Sequence, residues 1–189
     1  MDSDRSNLIS LLQLAYSGEK AAGYAYRGHW KAVSAPEERQ RIEKIEQEEW
    51  HHRRLVGEIL AALGSGPDSK RELRAAIIGR TIAFICHVSG RLIPMYGAGK
   101  LESRNVREYE NAARYALGCG RAEYVDCLLT MADVEWEHEH YFREKVLSHR
   151  LGRRLPIWPQ PPPKDAIRSS FKQLTESREV EAASSAGHS

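Results

Sequence analysis

Apolar residues recur along this chain at spacings of three and four, the stripe of an amphipathic helix. The first stripe reads Ile9, Leu12, Tyr16, Gly23, Tyr26, Trp30 and Val33. It predicts a helix over residues 6–33, stopped near Ser34, Ala35 and Pro36. The second reads Ile42, Ile45, Val56, Ile59 and Leu63, opened by Pro36 with Glu37 and Glu38 and ended at Gly64, Ser65, Gly66 and Pro67. A third helix is predicted over residues 103–117, and Gly118 and Gly120 punctuate before a fourth over residues 123–149, with Tyr124, Leu128, Met131 and Phe142 in phase. Between the second and third, residues 73–99 are more apolar, with Ile77, Ile78, Ile82, Phe84 and Ile85, and are broken by Gly90 and by Pro94 to Gly99. Arg80, His87 and Arg91 make that stretch too polar to cross a bilayer. It suits either docking on a membrane surface or lining an apolar pocket, with a buried connecting helix as the alternative. Past Leu151 the pattern gives way to Pro156, Pro159, Pro161, Pro162 and Pro163 and then a polar end. Residues 151–189 are expected to be extended or disordered, with a short helix near Ile167 to Glu181.

The informative positions interrupt these stripes. Glu19 falls in the phase of Tyr16 and Gly23, and Glu49 with His52 falls between Ile45 and Val56. Glu135 with His138 falls between Met131 and Phe142, so two helices carry Glu-x-x-His with both residues facing inward. The overlapping pairs Glu48 with His51 and Glu137 with His140 share their phase with charged residues and read as solvated faces. On the third helix Val106, Glu110, Ala113 and Leu117 make one seam, while Leu101, Glu108, Ala112, Tyr115 and Cys119 make another. Glu110 is taken as the inward acid, with Glu108 held as the alternative. His29, His87 and His149 have no in-phase partner and read as surface or packing residues.

Ionised carboxylates do not enter a helical core unless something positive sits between them. Glu19, Glu49, Glu110 and Glu135 with His52 and His138 therefore imply a pair of metal ions. One Glu from each of two helices and one Glu-x-x-His from each of the other two is the pattern of ferritin-like di-metal bundles. The expected fold is all-α: a ferritin-like four-helix bundle over residues 1–150 with an extra apolar helical segment between helices two and three. Carboxylates and imidazoles without thiolate suit iron or manganese better than copper or structural zinc, and HExxH is absent, which argues against metalloprotease chemistry.

Composition narrows this further. A chain of 189 residues suits one domain plus a tail, and a net charge of +2 gives no electrostatic steering toward nucleic acid. Cys86, Cys119 and Cys127 are odd in number and lack C-x-x-C spacing, which argues for a reducing compartment rather than a disulfide framework. With no apolar signal core and no 18-residue uncharged run, the expectation is a cytoplasmic protein that does not span a membrane, with peripheral contact at the inner membrane surface left open by the apolar insert.

A resemblance then becomes visible. Gly18-Glu19, Tyr26 and Gly28 resemble the first-helix motif of the demethoxyubiquinone hydroxylases, in which Gly-Glu is followed by Tyr and then Gly-Gln; His29 stands in place of that Gln. Glu48-Glu49-Trp50-His51-His52 is similar to that family's Glu-Glu-x-Asp-His, Glu108-Tyr109-Glu110 to its Glu-Thr-Glu, and Glu135-Trp136-Glu137-His138 completes the set. The resemblance covers residues 8 to 147, including the apolar insert, which in that family forms the hydrophobic substrate-binding and membrane-facing part. It implies two iron ions bridged by Glu49 and Glu135, with Glu19 and Glu110 as terminal ligands and His52 and His138 on one iron each. It also implies O2-dependent hydroxylation of an electron-rich ring such as a quinol, with an electron donor that the residues do not identify. A ferritin-like or rubrerythrin-like protein that oxidises and stores iron or consumes peroxide is the competing expectation, and a di-metal fold kept for a structural or partner-binding role is the third. The apolar insert favours the first, and the lack of paired C-x-x-C motifs removes the electron-transfer domain of rubrerythrin. Manganese in place of iron and assembly into a homo-oligomer both stay open.

Overall fold

The computed structural model describes residues 2–186, and among these all regular structure is helical. Six helices follow in order: α1 (Asp2–Ala32), α2 (Pro36–Ala62), α3 (Ser69–Val88), α4 (Leu92–Gly118), α5 (Val125–Ser148) and α6 (Lys164–Ala186). Pro36 occupies the first turn of α2, where its missing N–H costs nothing. Asp68 caps α3 by accepting from the backbone N–H groups of Lys70 at 2.8 Å and Arg71 at 3.0 Å.

Two apolar clusters show how α1, α2, α4 and α5 run. One contains Leu12, Val56, Val106 and Leu128; the other contains Tyr26, Ile45, Met95 and Phe142. Along α1 and α5 the chain passes from the first cluster to the second, and along α2 and α4 it passes back. Thus α1 and α5 run one way and α2 and α4 the other, and the layer between the clusters has apolar side chains at both ends.

Residues 73–99 do not end in a broken stretch, as the sequence suggested. Only Ser89, Gly90 and Arg91 separate α3 from α4, and Gly90, at φ +71°, makes the turn. Pro94 falls in the first turn of α4, where a proline breaks no helical hydrogen bond, so α4 begins at Leu92 rather than near Ser103. α3 lies flush on α1 through small residues: a Cβ on Gly79 would stand 2.5 Å from the Ala21 carbonyl oxygen, and one on Gly28 would run into the Ala83 backbone. Arg53 and Lys20 meet Glu72 at 2.6 and 2.9 Å, tying α2 and α1 to α3.

The proline-rich segment is irregular, but it is packed against the bundle rather than free. Prolines lack donors yet keep their carbonyls, and the helices supply donors to them: Tyr96 Oη to Pro156 O at 2.6 Å, Ser103 Oγ to Pro159 O at 3.0 Å, and Trp136 Nε1 to Pro162 O at 2.8 Å. Trp158 is buried over Gly99 and donates to Glu139 Oε1 at 2.6 Å. Beyond it, α6 is longer than the short helix expected there; it buries Ile167 and anchors Arg168 on Asp126 and Asp133 at 2.7 and 2.8 Å. No helix among the described residues is long and apolar enough to cross a membrane.

Candidate metal centre

Four helices each send acid into the sealed layer. Glu19 comes from α1, Glu49 and His52 from α2, and Glu135 and His138 from α5, as their phase predicted. The acid from α4 is Glu102, and neither Glu110 nor Glu108 reaches the centre. Extending the α4 seam backward explains the difference: Ala113, Tyr109, Val106, Glu102, Gly99 and Met95 are all buried at alternating spacings of four and three. Glu110 is buried on a neighbouring face beside Arg107 and Arg114, where burial raises its carboxyl and the two guanidinium groups oppose that rise. With the helix start placed near Ser103, Glu102 lay outside the predicted element, and so the seam was completed with the wrong acid.

The six side chains form two groups. Glu19, Glu49, His52 and Glu135 make one, and Glu49, Glu102, Glu135 and His138 the other; within each, one ligand atom per residue lies within 4.8 Å of the rest. Glu49 and Glu135 belong to both, which is the position of carboxylates that bridge two ions. Each group keeps one carboxylate and one imidazole of its own.

The atoms left without partners fit a cation. Both oxygens of Glu49, one oxygen of Glu19 and Nδ1 of His138 are buried with no hydrogen bond, and Glu49, Glu102, Glu135 and His138 have no measurable exposure. Burying unpaired carboxylates together is prohibitive unless they take up protons or a metal. Burial, reinforced by the charge of Glu135, raises Glu19 and pushes Glu49 and Glu102 well above the ordinary carboxylate value. Burial opposes the charge of Glu135 too, but the hydrogen bonds of Glu102, His138 and His52 hold it well below that value. A set of hard oxygen donors with two imidazoles suits iron or manganese.

A shell of hydrogen bonds orients these ligands. Tyr109 of α4 donates to Glu19 of α1, and Tyr26 of α1 donates to Glu102 of α4. Each tyrosine lies seven residues after the acid on its own helix, so α1 and α4 both carry Glu-x6-Tyr and exchange hydroxyls across the centre. That repeat is present in the sequence at Glu102 with Tyr109, but also at Glu108 with Tyr115, so it disfavours Glu110 without choosing between the other two acids. Asn105 Nδ2 adds a donor to Glu102 at 2.9 Å. His138 Nε2 meets Glu48 Oε2 at 2.8 Å while its Nδ1 faces Glu49 Oε1 at 3.2 Å. Glu48 is therefore not part of a solvated face. It is half-buried, and although burial pushes its carboxyl up, His138 together with Arg41 and Lys44 holds it down to about 2. Its former companion His51 is exposed, as are Glu137 and His140. His29 is buried as a packing residue, stacked with Phe142 at 6.1 Å, while His87 is exposed.

An apolar cavity of about 380 Å³ lies beside this layer, walled by Tyr26, His29, Ile82, Ile85, Ile93 and Leu101 among others. None of the six acidic and imidazole residues lines it; Tyr26, which is part of its wall and donates to Glu102, stands between the cavity and the centre. Compared with known proteins, the chain matches no family model, no curated protein and no solved structure.

Proposed function

We propose that this chain is a ferritin-like carboxylate protein that holds two iron ions, with manganese as the alternative, and uses O2 to hydroxylate a hydrophobic, quinol-like aromatic molecule. The observation that carries the di-metal part is Glu49: fully buried, with neither oxygen hydrogen-bonded, and common to both ligand groups. The apolar cavity ending on Tyr26 supports the hydroxylase over iron storage, which needs no such cavity.

In this reading Glu19, Glu49, His52 and Glu135 hold one ion, and Glu49, Glu102, Glu135 and His138 the other. When bound, the reduced pair supplies the electrons that activate O2 for insertion of one oxygen atom into a ring. The chain's own residues do the rest. Tyr26 and Tyr109 each fix a terminal carboxylate by donating a proton into a hydrogen bond, Glu48 orients His138, and the two apolar clusters keep water from the layer. The insert's outer face, with Ile77, Phe84, Val88 and Ile93 exposed beside Arg74 and Arg80, would rest on an anionic lipid surface and admit the substrate from it.

Metal analysis of protein purified without chelator tests the first part, with about two iron ions per chain expected. Adding O2 to the reduced, anaerobic protein with a quinol analogue tests the second. Consumption of O2 with a hydroxylated product by mass spectrometry is expected; mineral growth on excess ferrous iron, or peroxide turnover without product, would favour the storage or peroxide reading instead.

A further inference from the structure

His29 lies in the wall between two cavities. One is the apolar cavity of about 380 Å³; the other, of about 170 Å³, is walled by Glu38, His87 and Arg91 and shares His29, Cys86 and Pro94 with the first. Three of the polar groups in the two walls bond to other side chains. The Tyr26 hydroxyl donates to Glu102, and Arg91 donates to Glu38. His29 is 3% exposed, yet its Nε2 has no hydrogen-bond partner. A buried polar atom left in this state costs stability, and a ligand in the adjoining cavity would satisfy it.

The ring is also well placed to read such a ligand. It packs beside the Tyr26–Phe142 pair, whose rings are 5.6 Å apart, at 6.5 Å and 21° from Tyr26 and 6.1 Å and 18° from Phe142. The near-parallel neighbours restrict the tilt of its ring, and Tyr26 links the same aromatic group to Glu102. Burial pushes the His29 pKa down to about 4, so the imidazole is neutral at physiological pH. A neutral imidazole has one donor and one acceptor nitrogen, and can therefore serve either a hydroxyl or a carbonyl. The remaining walls are aliphatic apart from the Cys86 thiol, a weak donor.

Building on the hydroxylase reading, we propose that His29 determines specificity in the apolar cavity. Its imidazole makes the one strong hydrogen bond available to an aromatic ligand bearing a single hydroxyl or carbonyl, and so sets which edge of the ring lies against Tyr26. The ligand class is an apolar aromatic molecule with one hydrogen-bonding group at that edge. A purely hydrocarbon ring would bind without orientation.

The test uses the full-length, metal-loaded protein and two probes of similar shape, 2-naphthol and 2-methylnaphthalene, titrated by calorimetry. The ratio of their affinities should fall about tenfold in His29→Phe, the worth of one hydrogen bond between neutral groups, and be largely kept in His29→Gln. His29→Leu is a second apolar variant should the phenylalanine not fit. Gly97→Ile places the probes: a Cβ on Gly97, a residue of the cavity wall, meets nothing within 4 Å, so the larger side chain should fill the space and weaken both. An unchanged ratio in the apolar variants overturns the role of His29 while leaving the di-metal reading intact. Binding unaffected by Gly97→Ile, or no binding of either probe, overturns the cavity as the site. Failure of the di-metal reading shows separately, as protein without stoichiometric metal before any probe is added.

Discussion

Two acids on α4 differ by eight positions, which is about 12 Å along a helix axis, and only Glu102 stands level with Glu49 and Glu135. Level matters as much as direction, because a carboxylate one or two turns away cannot reach a shared ion. Glu102→Ala should therefore reduce bound metal from about two ions per chain to about one or none, whereas Glu110→Ala should leave it unchanged, both measured by elemental analysis. Glu48 acts one bond further out. It touches no ion in this arrangement, but it holds the Nε2 of His138 and so the direction of Nδ1. Partners of this kind are worth about 10–100-fold in metal affinity, so Glu48→Ala should still bind two equivalents at saturation while one of them dissociates at lower chelator concentration. Equal chelator sensitivity in the variant and the parent would mean that Glu48 orients nothing.

Among the elements, α3 differs from the bundle helices in having two unlike faces, neither of them strongly polar. Ala75, Ala76, Gly79 and Cys86 are buried, with the small residues letting its backbone approach α1. Its other face leaves Phe84 and Val88 each 68% exposed, and Ile77 on the same face is exposed too. So much contiguous apolar surface is unusual on a protein that meets only water. Phe84→Asp, on the outer face, should leave the melting temperature and metal content close to those of the parent and reduce co-sedimentation with anionic liposomes severalfold. A variant that sediments with liposomes as well as the parent would remove the membrane from the proposal. α4 is built on the same economy of small residues, since Gly99 is what lets Trp158 lie against it and pin the proline segment.

For the whole molecule, the centre links folding to protons and to metal. Without metal, burial and the charge of Glu135 raise Glu19, Glu49 and Glu102 above their ordinary 4.5. Burial works against charging His52 and His138, but their bonds to carboxylates raise both above 6.5. The folded metal-free protein thus binds more protons than the unfolded chain over the range above these ordinary values, and its stability falls as pH rises through the raised ones. Glu48 and Glu135 are shifted downward, so their contribution is present above 4.5 and is lost only in acid. A bound metal would reverse the trend at neutral pH, because it would need the same groups deprotonated and would bind only the folded state. With chelator, the melting temperature should drop between about pH 5 and pH 8. The increment from added ferrous or manganous ion should grow over the same interval, to about 4 kcal/mol at a thousand times the dissociation constant. A metal increment that does not change with pH, followed by calorimetry, would argue against a buried carboxylate centre.

Phase around a single helix was legible in the sequence for the inward acids and imidazoles of α1, α2 and α5, and ambiguous on α4, where two seams competed. The stripes through Leu12, Ile45 and Met131 showed that Glu19, Glu49 with His52, and Glu135 with His138 point inward, because a period of 3.6 residues is a local property of the backbone. The chemistry of that donor set was legible for the same reason. Tertiary structure decided the level at which inward residues meet, since that depends on how neighbouring helices are placed along their axes. It selected Glu102 over Glu110, and it brought Glu48 to His138 across ninety residues of sequence. It also decided where chain breakers do not break: Pro94 falls harmlessly in a first turn, and the carbonyls of Pro156, Pro159 and Pro162 are satisfied by side chains of α4 and α5. His29 belongs to the same class, because an unpartnered nitrogen can be recognised only when every neighbour that could have bonded it is known.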